Sequence, residues 1–543
     1  MRWWLGVAAL GLWGCGDPCG DKGKCSDATS GPVDAADTDT DSDADADTDA
    51  DTDTDADTDT DTAPTGDTAT TGSTGATGDT GGSCAAQVIS LSASAGPIPT
   101  SAALSVAFDR PAAAVARCVV DTEPGQVFFT ESAIEHTDHT LRLVGMLPNQ
   151  AYTCTAAPAC EARVDPPGEV AYATGSPPGS VPPTTVAADP VLGMTGTYSM
   201  APVASGISTH VVVWDDLGRV RWWYLTPGGV GLDIEALLTP QGTVVWGGGF
   251  TSEGRVREVD LWGDELYAFA PAGWQQTLFH HDAKQLVDGR LLTLEIRDNQ
   301  RGNDTWEGFG IRAHDPATGL VSIDIDSQRY VDEGRLEVPP GWDDDPYHAN
   351  WVDLSPDGSK VYVSLCFAQQ ILALDAVTGD LLWQAGPGLG WSTVDTAGAP
   401  VPEGALPQCQ HGLEVLGDDH FLVYDNGQNR NESAASEWIF DAVSRTAELQ
   451  WAWTEPGWSE PFLGDIDDLG NDRVLITQAT FFGPSQVIEV DRASGQIASR
   501  LSFDNGGLTY RAERYDACEL FSDATACGEL GARHALFEAT LTP

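Results

Sequence analysis

From about residue 210 the chain repeats one pattern: a strand of alternating apolar and polar residues, an aspartate, a short turn and a second strand. The copies are centred on Asp215, Asp260, Asp315, Asp375, Asp441 and Asp491, spaced 45, 55, 60, 66 and 50 residues apart. β-Branched and aromatic residues suit a pleated, half-buried surface, and the Asp/Gly turns supply the backbone angles that join antiparallel strands. A period of this size reads as one four-stranded propeller blade per copy, with loop insertions accounting for the excess. Ring closure removes the sheet edges that an open array would expose. The expected fold is therefore all-β, with a six-bladed β-propeller over 187–543.

A second repeat runs between the first. Hairpins open at Asp233, His281, His348, His411 and Asp465, so equivalent slots of successive blades carry Asp, His, His, His and Asp. In a radial repeat, equivalent positions converge on the axis, and three imidazoles are expected to meet there. Converging imidazoles can bind a transition metal, act as nucleophile and acid/base, or donate hydrogen bonds to an oxyanion. Spacing alone does not choose among these. His280, by strand alternation, is expected to face away from His281.

Ahead of the propeller the chain changes character. Met1-Arg2, an apolar run to Trp13 and then Gly14-Cys15 read as a signal peptide over 1–15 that ends in a lipobox, with Cys15 lipidated. The run is too short for a permanent span. It resembles bacterial lipoprotein signals, and Gly16 after the cysteine implies the outer membrane of the cell envelope, periplasmic or surface-facing. Residues 16–83 form an Asp/Thr-rich linker, where 14 aspartates alternate with small residues between 34 and 62. Such a segment repels itself, buries nothing and is expected to be disordered. Residues 84–176 read as a small β-sandwich, and Leu147-Pro148-Asn149-Gln150-Ala151-Tyr152 resembles the corner of a fibronectin type III domain that a tyrosine ties. The Pro/Gly stretch 177–184 reads as a stiff spacer before the propeller.

Removing those 14 charges from the net −55 leaves −41. Such a surface repels nucleic acid, which excludes it as a partner. Ten cysteines besides Cys15 and no C-x-x-C fit an oxidising compartment. Cys518 and Cys527 are near enough in sequence for a local bridge, as are Cys19 and Cys25; the pairings of Cys84, Cys118, Cys154 and Cys160 are not legible.

The propeller resembles the bacterial arylsulfate sulfotransferases, which are six-bladed propellers. The likeness rests on His281-Asp282, His348 with Asn350, VSLCFAQQILALDAVTGDLLWQAGPG from Val363, and Gln410-His411 followed by Tyr424-Asp425-Asn426-Gly427 and Arg430. LTYRAERYD near residue 508 looks like the end of related propellers. The resemblance implies that His411 takes the sulfuryl group from a phenolic sulfate ester as a sulfohistidine, which a phenol then attacks, with no metal or other cofactor. It implies that His281, His348 and Asn350 hold the sulfate oxygens and serve the departing phenolate, and that Asn426 and Arg430 line the substrate site. The small-molecule partners would be an aryl sulfate and a phenol, with the membrane reached through the lipid anchor.

One departure bears on that reading. Where the family has Ser-x-Arg, this chain has Ser364-Leu365-Cys366, and Cys409 stands two residues before His411. Adjacent blade strands could bring Cys366 and Cys409 into a disulfide, or the two could act as thiolate ligands in a Cys/His metal site. The alternatives to the enzyme are thus an inactive propeller that binds an aromatic or glycan ligand, and a Cys/His metal-binding propeller.

Overall fold

The computed structural model describes residues 85–159, 167–206, 208–226, 233–248, 256–269, 279–338, 344–480 and 484–541. The lipobox with Cys15, the acidic linker, Cys19, Cys25, Cys84 and Cys160 lie outside the described residues.

The first sheet is built on one long hairpin. Ala102–Val120 pairs along one edge with Glu123–Leu143; its other edge meets Val88–Ala95 in its first half and Ala151–Pro158 in its second, and Gly168–Ala173 completes the sheet. The register breaks between Ala107 and Ala112, next to Pro111, whose missing N–H cannot join a ladder. Alternate residues Leu104, Val106, Cys118 and Val120 then share one core with Leu141, Tyr152 and Cys154. The Tyr152 hydroxyl donates to the Leu147 carbonyl at 3.0 Å, and Cys118 is disulfide-bonded to Cys154 directly across the ladder.

Among the described residues six further sheets follow in chain order, and they form a β-propeller. Their innermost strands are Asp233–Leu238, Phe279–Gln285, Ala349–Leu354, Gly412–Gly417, Asp465–Gly470 and Glu513–Asp516. The ring is sewn shut twice. Glu513–Asp516, near the C-terminus, pairs with Thr197–Ser205, and Thr184–Ala188 adds to the outer edge of the sheet that begins at Asp465. Each sheet buries both faces against its neighbours: Leu292, Leu294 and Ile311 of one, for example, pack on Val352, Val361 and Val363 of the next.

The C-terminal segment joins the propeller to the first sheet. Cys518–Cys527 is a disulfide, and Phe537 of the helix Gly528–Leu541 packs on Val115, Val127 and Phe129. Asp523 accepts hydrogen bonds from Gln126, Tyr198 and the buried Arg221, whose Nε also donates to the Gly145 carbonyl at 2.7 Å. The two β units are docked through charged, desolvated contacts rather than held apart.

Candidate functional site

Regular pairing stops where the histidines begin. Between Phe279 and Ala283, and again between Ala349 and Trp351, the innermost strands bulge. His281 (φ 64°), His348 (φ 47°) and Cys409 (φ 50°) adopt the left-handed backbone region, which costs a residue with a Cβ roughly 1–2 kcal/mol. Strain of this kind persists only where the surroundings impose it. Here it turns side chains toward one point: the ring centroids of His281 and His348 are 4.7 Å apart, and His411 lies 6.4 and 6.3 Å from them.

The bulge also overturns the expected orientation of His280. Its ring is 4.3 Å from His281 and 5.2 Å from His348, inside the cluster rather than on the opposite face. Strand alternation holds only while the pleat is regular, and the left-handed residue at 281 interrupts it.

The hydrogen bonds of His411 assign its tautomer. Asn426 donates through Nδ2 to the carbonyls of Glu460 (2.8 Å) and Leu463 (2.9 Å), so its amide oxygen must face His411. That oxygen and the Cys409 carbonyl both lie 2.9 Å from Nδ1 of His411. Two acceptors on one nitrogen require it to carry the proton, which leaves the lone pair on Nε2. Burial, and then the neighbouring His348, hold the His411 pKa down at about 3, so the ring is neutral across the physiological range.

His348 is held from both sides. Its Nδ1 and backbone N–H bind the Asp345 carboxylate, and Phe367 stacks on its ring at 4.5 Å. Phe367 follows Cys366, and the structure joins Cys366 to Cys409, so a disulfide ties the strand ends that carry His348 and His411. Asn350 donates to the Gln410 carbonyl at 2.8 Å and Ser364 to the same atom at 3.1 Å, which fixes the backbone just before His411.

Two residues depart from their expected places. Arg430 does not reach into the cluster: its guanidinium pairs with Asp425 and donates to the carbonyls of Gly404 and Leu406, closing the loop behind the site. Asn426 holds His411 rather than a substrate, since its amide is spent on the imidazole and two carbonyls. Both corrections have one cause: the turn after Asp425 folds back on its own chain, because Gly427 at φ 60° permits it.

Sequence reasoning passed over two central residues. Tyr510 is fully buried, with its hydroxyl 3.4 Å from Nδ1 of His281 and its ring 6.1 Å from His411. Arg511, 1% exposed, reaches across the ring: it binds Glu235 (3.0 Å) and Asp282 (3.2 Å), approaches Asp465 (3.8 Å), and donates to the carbonyls of Asn350 (2.9 Å) and His411 (3.4 Å). It thereby touches five of the six innermost strands or the residues that lead into them. The available signal was its position in the last innermost strand's approach, LTYRAERYD. Asp465, which shares the repeat slot of the histidines, is engaged by Arg511, and the side chain of Asp233 lies outside the described residues.

Beneath Arg511 the same strands turn acidic. Lys284, Asp353, Glu414 and Asp467 occupy the same register on four successive inner strands, opposite Leu292, Tyr362, Leu422 and Leu475. Burial pulls Lys284 down, but Asp353, Asp282 and Glu235 outweigh it and hold it well above its ordinary value. Burial raises Glu414 to about 7, against the pull of Lys284.

A β-propeller with imidazoles gathered at the axis, one of them fixed as a neutral Nε2 base, defines a class of protein suited to group transfer. A family model for the arylsulfotransferases (ASST) matches residues 193–511, and the chain belongs to that family. Sulfotransferase is thus the activity class the site has to serve. No curated protein matches the chain in sequence. Among solved structures, a protein of unknown function from Bacteroides caccae shares 14% identity over 59% of this chain and 99% of its own, with a TM-score of 0.40. The β-propeller domain of Cps50 (Swd1) from Myceliophteria thermophila shares 9% identity over 55% of this chain and 81% of its own, with a TM-score of 0.30. Likeness at this level says nothing of function.

Proposed function

We propose that this protein transfers a sulfuryl group from a phenolic sulfate ester to a phenol through a sulfohistidine at His411, without a nucleotide donor. The observation that carries the reading is the pair of acceptors on Nδ1 of His411, which commits Nε2 as the nucleophile. In the first step the Nε2 lone pair forms the N–S bond while the S–O bond to the phenol breaks, releasing phenolate. In the second, an acceptor phenol attacks sulfur, the N–S bond breaks, and the phenolic proton ends on the phenolate released in the first step. Charge builds on the sulfuryl and leaving oxygens, where pre-placed donors are worth about 3–4 kcal/mol each. His281 and His348 face His411 and fit that task.

The test is a mass increase of one sulfuryl group on the His411 peptide after incubation with an activated phenyl sulfate and no acceptor. The label should vanish in His411→Ala and discharge on adding phenol. Turnover with no label on His411 would sink the mechanism.

The setting follows the same reading. We infer a lipid-anchored protein of the bacterial cell envelope, and three disulfides among the described residues support an oxidising compartment. The Tyr152–Leu147 hydrogen bond, two residues before the bridged Cys154, supports a fibronectin type III-like module over 84–176.

A further inference from the structure

The acceptor phenol carries a proton that has to leave its oxygen as the new bond to sulfur forms, and the groups assigned to sulfuryl transfer are engaged at that moment. Nε2 of His411 carries the sulfuryl group, His281 and His348 serve its oxygens as donors, and the Asp345 carboxylate is bonded to Nδ1 of His348. The Tyr510 hydroxyl lies 3.4 Å from Nδ1 of His281, and burial raises its pKa, so it keeps its proton.

His280 is the ring left over. It is 4% exposed, yet its Nε2 has no hydrogen-bond partner among the described residues. Buried acceptors in that state are uncommon unless a ligand or water completes them. The ring is hydrogen-bonded to the backbone of Ala349 in a way that favours its protonated form, so the carbonyl accepts and Nδ1 donates. A neutral ring that donates through Nδ1 keeps its lone pair on Nε2. His280 adjoins His281 and His348 at 4.3 and 5.2 Å, and each of the three brings a ring nitrogen within 4.8 Å of the others. In-line attack brings the phenol oxygen to the side of sulfur away from His411, toward those rings.

We propose that His280 is the general base of the acceptor step, its Nε2 taking the proton of the phenol as the phenol oxygen bonds to sulfur. This role rests on the sulfohistidine reading. The N–S bond breaks with its electron pair returning to Nε2 of His411, the O–H pair stays on the phenol oxygen, and the proton passes to His280. The imidazolium then yields that proton, through solvent, to the phenolate released in the first step, which restores the neutral ring. Burial holds the pKa of His280 down at about 4, and the negative oxygens of a bound sulfuryl group draw it back toward the range where a base works best.

The experiment isolates the acceptor step. Full-length, disulfide-intact protein is labelled at His411 with an activated phenyl sulfate, freed of excess donor and mixed at one pH with phenol, which is un-ionised, or pentafluorophenol, which is ionised and brings no proton. The quantity read is the ratio of the two discharge rates within each protein, so a general loss of activity cancels. His280→Asn, whose amide can still donate to the Ala349 carbonyl, should lower the phenol-to-pentafluorophenol ratio about 10²- to 10⁴-fold, and His280→Gln should lower it likewise. An unchanged ratio in both overturns the proposal. So does failure of both variants to take up label, which would make His280 a structural residue. The competing base is Glu307, whose carboxyl burial raises to about 7; a ratio lost in Glu307→Gln and kept in His280→Asn also overturns the proposal. Absence of label on His411 of the parent removes the sulfohistidine reading and this role with it, whereas label with an unchanged ratio removes the base and keeps the transferase.

Discussion

The innermost strands carry two levels of polar residues, and they are built in opposite ways. The lower level, Lys284, Asp353, Glu414 and Asp467, sits on regular pleat at one shared register. The upper level, His280, His281, His348 and His411, sits on bulges and left-handed residues at the strand ends. Regular strands can present only what alternation allows, so a radial repeat by itself gives a ring of like positions. Bringing four rings from three strands to one point needs the alternation broken. The lower level is mostly acidic and would repel a sulfate ester, whereas the upper presents imidazoles, so an anionic substrate of the proposed kind would be confined to the histidine end.

Arg511 separates the two levels, and removing it should break the contrast most severely. Burial opposes its charge, but Asp282, Glu235 and Asp465 hold its pKa well above the ordinary value. Arg511→Met leaves three buried carboxylates without their cation, a change that costs about 3–5 kcal/mol for a broken buried pair. Urea unfolding at pH 8 measures it. A loss below about 1 kcal/mol would mean that Lys284 alone compensates the acids, and that the levels are not divided at Arg511.

The Cys366–Cys409 bridge sharpens the comparison, because it fastens the upper level only. The two residues are 43 apart, and closing such a loop stabilises by about 2–4 kcal/mol. Cys366→Ser/Cys409→Ser should lower stability by that amount and loosen His348 and His411 while the acidic register stays intact. Hydrogen exchange read by mass spectrometry should show faster exchange at 345–350 and 408–412 than at 352–354 and 413–416. Uniform acceleration would make the bridge a general staple rather than a support for the histidine end.

What was legible in the sequence follows the same division. The Asp-turn periodicity and the convergence of His281, His348 and His411 came from equivalent slots in a regular repeat. His280 was misplaced because alternation was assumed across a bulge, which no residue type announces. Arg511 and Tyr510 were passed over because their importance comes from ring closure, which brings the last strand beside the first. Asn426 and Arg430 were placed in the substrate site by resemblance, but a sequence does not say which way a turn folds. The Cys118–Cys154 pair was within reach: Tyr152 stands two residues before Cys154, and the strand register then decides the partner.

The smallest expected effect separates the levels by the sign of their pH dependence. Burial raises Glu414 from 4.5 to about 7 and Asp282 from 3.8 to about 6. Between those values the folded chain keeps protons that the unfolded chain releases, so their contribution to stability falls as pH rises through about 4 to 7. Burial lowers His411 from 6.5 to about 3 and His280 from 6.5 to about 4. Over about pH 4 to 6.5 the unfolded chain therefore binds protons that the folded chain refuses, and the contribution of these groups rises with pH. Each group can bend the curve by at most about 1.4 kcal/mol per pH unit, and the two levels oppose each other. Glu414→Gln should make unfolding free energy climb more steeply from pH 5 to 6.5, while His280→Gln should make it climb less or fall. Urea titrations at half-unit intervals read both slopes. If the two substitutions move the slope in the same direction, His280 is not held neutral and the division between the levels fails.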